Sequence, residues 1–342
     1  MLKAGITGIN AVDNPAPGIG VVKGLRTAFS DLQVVGLSYD VTEPGIFLAS
    51  LIDRVFILPY PSRGKEPFFE RLMYVREKTG LNLVIPNLDS ELPLFISLED
   101  ELRDEGVSLF IPTKAQFELR AKDRLIRLAK RIGISVPETK MVSTEAELTK
   151  ALDDMGFPVM VKGVFYEAKI AASYVEALKF FREISSRWGF PVIVQEVVEG
   201  DELNVVGVGD GEGGHFGLVA MKKLTTTSLG KVWMGVTIRN EALFESVEHF
   251  VSETKWRGAF EYEVKAAGSK LYLIEINPRF PAWLYLAVGV GVNLPERVAK
   301  AALGEVPSRD WNYEAGKLYV RYTEDFVTDM EVFKRIITRG ER

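Results

Sequence analysis

LYLIEINPRF, residues 271–280, holds the most specific chemistry in the chain. Its apolar run reads as a buried strand, and Pro278 ends that strand because proline cannot donate to a ladder. The period of two along a strand places Glu275 and Asn277 on one face. A carboxylate and an amide oxygen side by side make a hard-oxygen site of the kind a divalent cation takes. Arg279 adds a planar cation suited to phosphate or carboxylate oxygens.

Working outward, EYEV at 261–264 places Glu263 on the preceding strand of a hairpin that turns near residues 266–269. Antiparallel pairing can bring Glu263 beside Glu275. Two buried carboxylates on adjacent strands repel unless a cation or a proton lies between them. Solvent-facing glutamates followed by a turn would show the same spacing, and Asn277 with Arg279 tips the balance toward metal.

The whole-chain chemistry narrows the choice of metal. There is no cysteine, which removes disulfides, zinc–thiolate sites, iron–sulfur clusters and cysteine nucleophiles. His215 and His249 are the only histidines, too few for an imidazole-rich metal site. By elimination, metal chemistry falls to carboxylate and amide oxygens, which suits magnesium, with manganese as a substitute. With 42 basic against 47 acidic residues, the net charge of −5 gives no reason to expect nucleic-acid binding. No run approaches the ~20 apolar residues of a membrane span. The first residues read as a buried strand and not as a leader, so a cytoplasmic location is expected.

Residues 1–112 alternate strand and helix, as in a parallel sheet with helices on both faces. Strands are expected at 3–9, 33–39, 54–58, 83–86 and 107–111, and helices at 21–29 and 68–78. A single helix is expected over 115–132, ending at Gly133. Beyond a boundary at 135–137, helices are expected at 144–155 and 175–188, with Ser143 or Thr144 as the first cap and Glu147 placed for a capping box. The remainder reads as α+β, with long hairpin-linked strands. GDGEGG at 209–214 spells a dinucleotide-binding pattern, but it joins two strands and reads as a hairpin turn.

Two further stretches carry candidate binding residues. In FPVMVKG, residues 157–163, Lys162 sits inside an apolar strand and needs either a phosphate or a structural acid as partner. QEVVEGDE, residues 195–202, is a strand ending that can offer backbone groups to a purine edge and a carboxylate to a ribose, or is an ordinary strand–turn–strand with solvated acids. The aromatics Phe280, Trp283 and Tyr285 are either core or the wall of an acceptor pocket.

The ordered set resembles the ATP-grasp superfamily, particularly its branch near carbamoyl-phosphate synthetase, biotin carboxylase and the carboxylate–amine ligases. AKDRLIRLAKRIGISVPET (121–139), FPVMVKG, QEVVEGDE, EYEV and LIEINPR match that family's segments in order across nearly the whole chain. The resemblance implies a Rossmann-like pre-ATP-grasp domain at 1–112, a linker helix and lid domain at 113–196, and an ATP-grasp core with a C-terminal tail at 197–342. It implies that Lys122 and Lys162 contact ATP phosphates, that the chain from Gln195 and Glu196 through Val197 and Val198 reads the adenine, and that Glu202 holds the ribose. It implies that Glu263, Glu275 and Asn277 bind magnesium and that Arg279 stabilises the transferred phosphoryl group. Lys222, or else its neighbour Lys223, is a weaker candidate for phosphate contact.

The sequence departs from the family at GVFYEAKIAAS, residues 163–173, where relatives carry a glycine-rich phosphate loop. A turn at Tyr166 and Glu167 would return the chain to Lys169, which is expected to face the triphosphate beside Lys162 and replace the missing amides. The function implied is an ATP- and magnesium-dependent ligase that activates a carboxylate as an acyl phosphate for attack by an amine. Its partners would be small-molecule or short-peptide carboxylates and amines, with a second copy of the chain, since many relatives are dimers. A nucleotide-binding regulator and a bicarbonate-phosphorylating enzyme are the alternatives.

Overall fold

The computed structural model describes residues 1–10, 15–164, 167–227 and 230–342, with 122 and 123 described by backbone alone. It divides into a larger unit, residues 1–132, 203–263 and 275–342, and a smaller one, residues 133–202 and 264–274.

The larger unit begins with β1 (Leu2–Ile6), α1 (Gly18–Ala28), β2 (Leu32–Ser38), β3 (Arg54–Ile57), α2 (Lys65–Thr79), β4 (Leu83–Ile85) and α3 (Leu92–Asp104). The strands form a parallel sheet in the order β3-β2-β1-β4. Strands of such a sheet are covered on both faces, so they read as continuous apolar runs instead of alternating. The expected strand at 107–111 is instead a single parallel bridge of Ser108 to Leu83. Gly106 and Pro112 bracket that run, and Val107 and Ile111 are buried in the core beside Phe68, Phe95 and Leu98. Helix α3 was not anticipated, although Leu92, Phe95, Leu98 and Leu102 mark its buried face at helical spacing.

The helix expected over 115–132 is two helices, α4 (Lys114–Glu118) and α5 (Lys122–Ile132). A capping box between Thr113 and Gln116 starts the first. In the break between them, Arg120 stacks on Phe117 and reaches Asp89 at 3.3 Å.

The smaller unit holds β5 (Thr139–Val142), α6 (Glu145–Met155), β6 (Val159–Lys162), β7 (Ala168–Ala171), α7 (Tyr174–Trp188) and β8 (Val192–Glu196). Its antiparallel sheet has the order β5-β8-β6-β7. The Thr144 hydroxyl accepts from the Glu147 amide, while the Glu147 carboxylate accepts from the Ser143 amide, so both expected cap residues contribute to one helix start. Val142, Val159, Val161, Val192 and Val194 pack with Leu148, Phe181 and Ile184 of the two helices.

From β9 (Asp201–Asp210) onward the chain gives β10 (His215–Thr226), β11 (Val232–Ile238), α8 (Glu241–Thr254), β12 (Arg257–Ala267), β13 (Lys270–Asn277), α9 (Tyr285–Gly289), α10 (Leu294–Ala302), β14 (Leu318–Val320) and α11 (Met330–Arg339). These strands make a sheet in the order β13-β12-β9-β10-β11-β14. The 209–214 glycines turn the β9–β10 hairpin, with the Asp210 amide donating to the Gly214 carbonyl at 3.0 Å, as expected. Among the described residues no helix is long and apolar enough to cross a membrane.

Candidate active site

Strand β12 alternates Glu261 and Glu263 with Phe260, Tyr262 and Val264. Tyr262 and Phe260 pack against Phe250 of α8, so that helix covers one face of the strand. The two glutamates therefore point to the opposite face. There Asn204 of β9 and Asn277 of β13 meet them. The Asn277 amide nitrogen donates to Glu261 Oε2 at 3.0 Å and to Glu263 Oε1 at 2.9 Å. Glu261 Oε1 accepts from Asn204 at 2.9 Å and from the Trp283 indole N–H at 2.6 Å.

Two cations complete the cluster. Lys223 Nζ lies 3.1 Å from Glu263 Oε2, with only 11% of its side chain exposed. Arg279 donates through Nε to Asp89 Oδ2 at 3.0 Å, its Nη2 lies 3.0 Å from the same oxygen, and its Nη1 lies 3.9 Å from Glu261. Arg279 Nη2 also approaches Asn277 Oδ1 at 3.5 Å. Glu275, on the same strand as Asn277, is the exposed member of the group.

The electrostatics follow from burial and sign. Burial and the adjacent Glu263 charge push the Glu261 carboxyl up to about 7, against the pull of Arg279 and Lys223. Glu263 suffers the same burial, but Lys223, by charge and hydrogen bond, holds its carboxyl below the usual range. Burial opposes the Arg279 cation, and the charges of Asp89, Glu261 and Glu275 outweigh it and raise its pKa.

The geometry brings together Glu263, Asn277 and Arg279, and the charge of Glu275 acts on Arg279. It does not bring in Lys222. Opposite residues of an antiparallel ladder share a face, and Lys222 pairs with Leu203 while Met221 pairs with Asn204. Lys222 thus faces away from Asn204, and Lys223 is the lysine that reaches Glu263. The sequence reading had named both lysines, with Lys222 first.

Glu261, Asn204 and Asp89 were not singled out from sequence, and Trp283 was named there only as core or the wall of an acceptor pocket. Glu261 carried a signal, because it precedes Glu263 by one strand period and must share its face. Asp89 gave none, since only the tertiary fold brings it to Arg279, and the bond from Trp283 to Glu261 was likewise not readable.

In the smaller unit, Lys162 donates to the Gln195 amide oxygen at 2.6 Å, and Gln195 donates to the Thr139 hydroxyl at 2.7 Å. One partner of Lys162 there is thus a neutral amide. Glu196 accepts from the Glu138 amide at 3.0 Å, and Val197 and Val198 follow the strand half-buried. Glu202 forms an ion pair with Lys265 at 3.2 Å.

Lys169 does not join Lys162. The ladder pairs Lys162 with Ala168 and Val161 with Lys169, so the two lysines point to opposite faces of the sheet. Lys169 turns toward α7, where it meets Glu183 at 2.7 Å and lies over Phe180, and it also pairs with Glu167 at 3.1 Å. This register contradicts the expectation that Lys169 lies beside Lys162 on one face. The hairpin is short, with Gly163 donating to the Glu167 carbonyl at 3.0 Å. Tyr166 of the expected turn, and the Lys122 side chain assigned to phosphate, lie outside what is described.

Residues 190–326 match the family described as ATP-grasp in the biosynthetic pathway with Ter operon. The C-terminal section of the carbamoyl phosphate synthase large chain of Aquifex aeolicus is 25% identical over 254 residues, which cover 69% of this chain and 47% of that one. The chain thus spans less than half the length of that relative. Among solved structures, the biotin carboxylase domain of a 2-oxoglutarate carboxylase from Hydrogenobacter thermophilus has TM-score 0.68 at 15% identity, covering 91% of this chain and 72% of that one. An L-amino acid ligase from Bacillus licheniformis has TM-score 0.66 at 15% identity, covering 90% and 75%. Over residues 190–326 the chain is thus similar to ATP-grasp proteins, and its other similarities lie toward the carbamoyl phosphate synthases in sequence and the biotin carboxylases in fold.

Proposed function

We propose that the chain is an ATP- and magnesium-dependent ligase that activates a substrate carboxylate for attack by an amine. The observation that carries this reading is the cluster of Glu261, Glu263 and Asn277 with Lys223 and Arg279 on one face of a sheet.

The donor set fits magnesium. Glu263, Glu275 and the Asn277 amide offer oxygen alone, and hard oxygens are what that ion takes. Among the described residues no group of three or more His, Cys, Asp or Glu is placed to hold a metal ion. Asn277 Oδ1 and substrate phosphate oxygens would therefore be part of the ligand set. When bound, magnesium supplies neutralisation of the phosphate charge.

The chain's own residues would do the rest. A carboxylate oxygen of the substrate attacks the terminal phosphorus, and the bond to the ADP oxygen breaks. An amine nitrogen then attacks the acyl carbon, phosphate leaves with the bonding pair, and the nitrogen loses a proton. Arg279, held by Asp89, would meet the charge on the transferred phosphoryl group. Lys223 would hold Glu263 ionised, and Lys162 would contact phosphate. Gln195 through Val198 would receive the adenine, and Glu202 the ribose. No step needs a covalent nucleophile, in keeping with a chain that has no cysteine.

The solved 2-oxoglutarate carboxylase domain is a dimer in complex with magnesium–ADP, ADP and bicarbonate, and its similar fold favours a second reading in which bicarbonate is the carboxylate. ADP release, measured with bicarbonate, amino acids, short peptides and carboxylic acids in turn, distinguishes the two. Stimulation by an amino acid or peptide pair supports ligation, and stimulation by bicarbonate alone supports the second reading. If magnesium–ATP raises the melting temperature no more than ATP with a chelator, the metal assignment fails. If no nucleoside triphosphate shifts it, the ATP reading falls.

A further inference from the structure

The orientation of the Asn277 amide decides whether this side chain can serve a metal at all. Only its oxygen is a ligand for a hard cation, and its NH2 group is repelled by one. The two ends of an amide have the same shape, so orientation is set by the hydrogen-bond partners. Here both amide hydrogens are committed, one to Glu261 Oε2 at 3.0 Å and one to Glu263 Oε1 at 2.9 Å. Turning the amide over would press its oxygen against two carboxylate oxygens. In the observed orientation Oδ1 points toward the Arg279 side of the group, 3.5 Å from Nη2.

Glu261 itself is poorly placed to be a metal ligand. It is 6% exposed, and its oxygens already accept from Asn204, Trp283 and Asn277. The indole N–H of Trp283 and the amide of Asn204 share Oε1, leaving Oε2 to Asn277. The carboxylate is anchored on one oxygen so that the other holds a fixed place against the asparagine.

We propose that Glu261 is a positioning residue that locks the Asn277 amide with its oxygen toward the metal. The proposal rests on the metal reading above, and it adds a residue that does not touch the ion. A partner of a ligating side chain sets the ligand's orientation, and its loss costs about 10–100-fold in metal affinity.

The test is a double-substitution cycle. In Glu261→Gln, the amide oxygen of the new side chain can keep Asn204 and Trp283, which leaves its NH2 facing the NH2 of Asn277. The asparagine then keeps only Glu263 as acceptor and faces a donor where Glu261 stood, so its oxygen is no longer locked toward the metal. In Glu261→Gln combined with Asn277→Asp, one aspartate oxygen accepts from the glutamine and the other faces the metal, with the net charge of the pair unchanged. The readout is the free Mn2+ signal in electron paramagnetic resonance, titrated against protein holding one equivalent of the ATP analogue AMP-PNP, with melting curves in the absence of ligand for every variant.

Glu261→Gln is expected to weaken Mn2+ binding by about tenfold or more. Asn277→Asp should then restore about tenfold in the glutamine background and give no such gain in the wild type, the non-additivity that coupled neighbours show. Wild-type affinity in Glu261→Gln, or an equal gain from Asn277→Asp in both backgrounds, overturns the proposal while leaving the metal reading intact. If Glu261→Gln fails to fold, the folded double variant must bind Mn2+ near the wild-type level, and weak binding there overturns the proposal. If the wild type retains no more Mn2+ than AMP-PNP alone, the metal reading and this proposal fall together.

Discussion

Glu91 offers a sharp test of the fold's internal electrostatics, because its whole carboxyl group is buried and its partners are known. Oε1 accepts from the Thr7 hydroxyl and from the Asn87 and Leu88 amides, the last two at 2.8 and 3.0 Å. Oε2 meets the Tyr39 hydroxyl. Burial pushes the carboxyl from its ordinary 4.5 up to about 7, against the hydrogen bonds that favour the anion. Between those two values the folded protein keeps a proton that the unfolded chain has released. Folding then binds protons, so stability falls as pH rises through that window and levels off above it. A shift of that size corresponds to roughly 3 kcal/mol at most. Glu91→Gln copies the protonated group, with the amide oxygen toward the two backbone N–H groups and the NH2 toward Tyr39. The substitution should therefore remove this pH dependence and little else. Melting curves of both proteins from pH 5 to pH 8 should diverge as pH rises, with the wild type losing roughly 5–10 °C more than the variant. Parallel curves would mean that Glu91 is ionised throughout and would refute the reasoning.

Lys223→Ala should lower turnover by on the order of tenfold or more, through loss of the charge beside Glu263, whereas Lys222→Ala should leave ADP release within about twofold of the wild type. Lys169→Ala should leave ATP affinity unchanged by isothermal titration, because the ladder turns this side chain to Glu167 and Glu183; a several-fold loss would return it to the nucleotide. Asp89→Asn should cut kcat by up to about a hundredfold with KM for ATP little changed, since it releases Arg279 from its fixed position, and Asp89→Glu should recover part of the loss. Equal kcat in the asparagine variant would show that Arg279 needs no such support.

What the sequence made legible was local. The period of two in 271–277 placed Glu275 and Asn277 together before any coordinates, and β13 bears this arrangement out as a strand. The buried parallel strands and the cap at Thr144 were readable for the same reason, since each depends on residues a few positions apart. Lys169 went astray because the face it takes depends on the length of the hairpin turn, which propensity does not fix. With Lys162 opposite Ala168, a change of one residue in the turn would have put Lys169 on the other face. Lys222 and Lys223 posed the same parity problem, resolved only by the pairing of Lys222 with Leu203 and of Met221 with Asn204. Arg279 was recognised as a phosphate-type cation, but its anchor Asp89 belongs to the loop after β4, and no sequence pattern joins the two.

The division of labour within the cluster follows from where its charges are held. Glu261 and Glu263 are adjacent on one face of one strand, and two such anions in a buried site require compensation. The protein supplies it unequally. Lys223 is spent on Glu263, keeping that carboxylate ionised, while Arg279 is drawn mainly to Asp89 and lies farther from Glu261. Glu261 is left with hydrogen-bond donors from three side chains, which hold its position more firmly than they neutralise its charge. Glu263 is thus the carboxylate prepared to act on a ligand, and Glu261 the one prepared to stay still. Exposure adds the direction of approach. Glu275 is open, whereas Glu261 and Asn277 are buried, so on the metal reading proposed above a cation would enter from the Glu275 side and meet Asn277 by its oxygen.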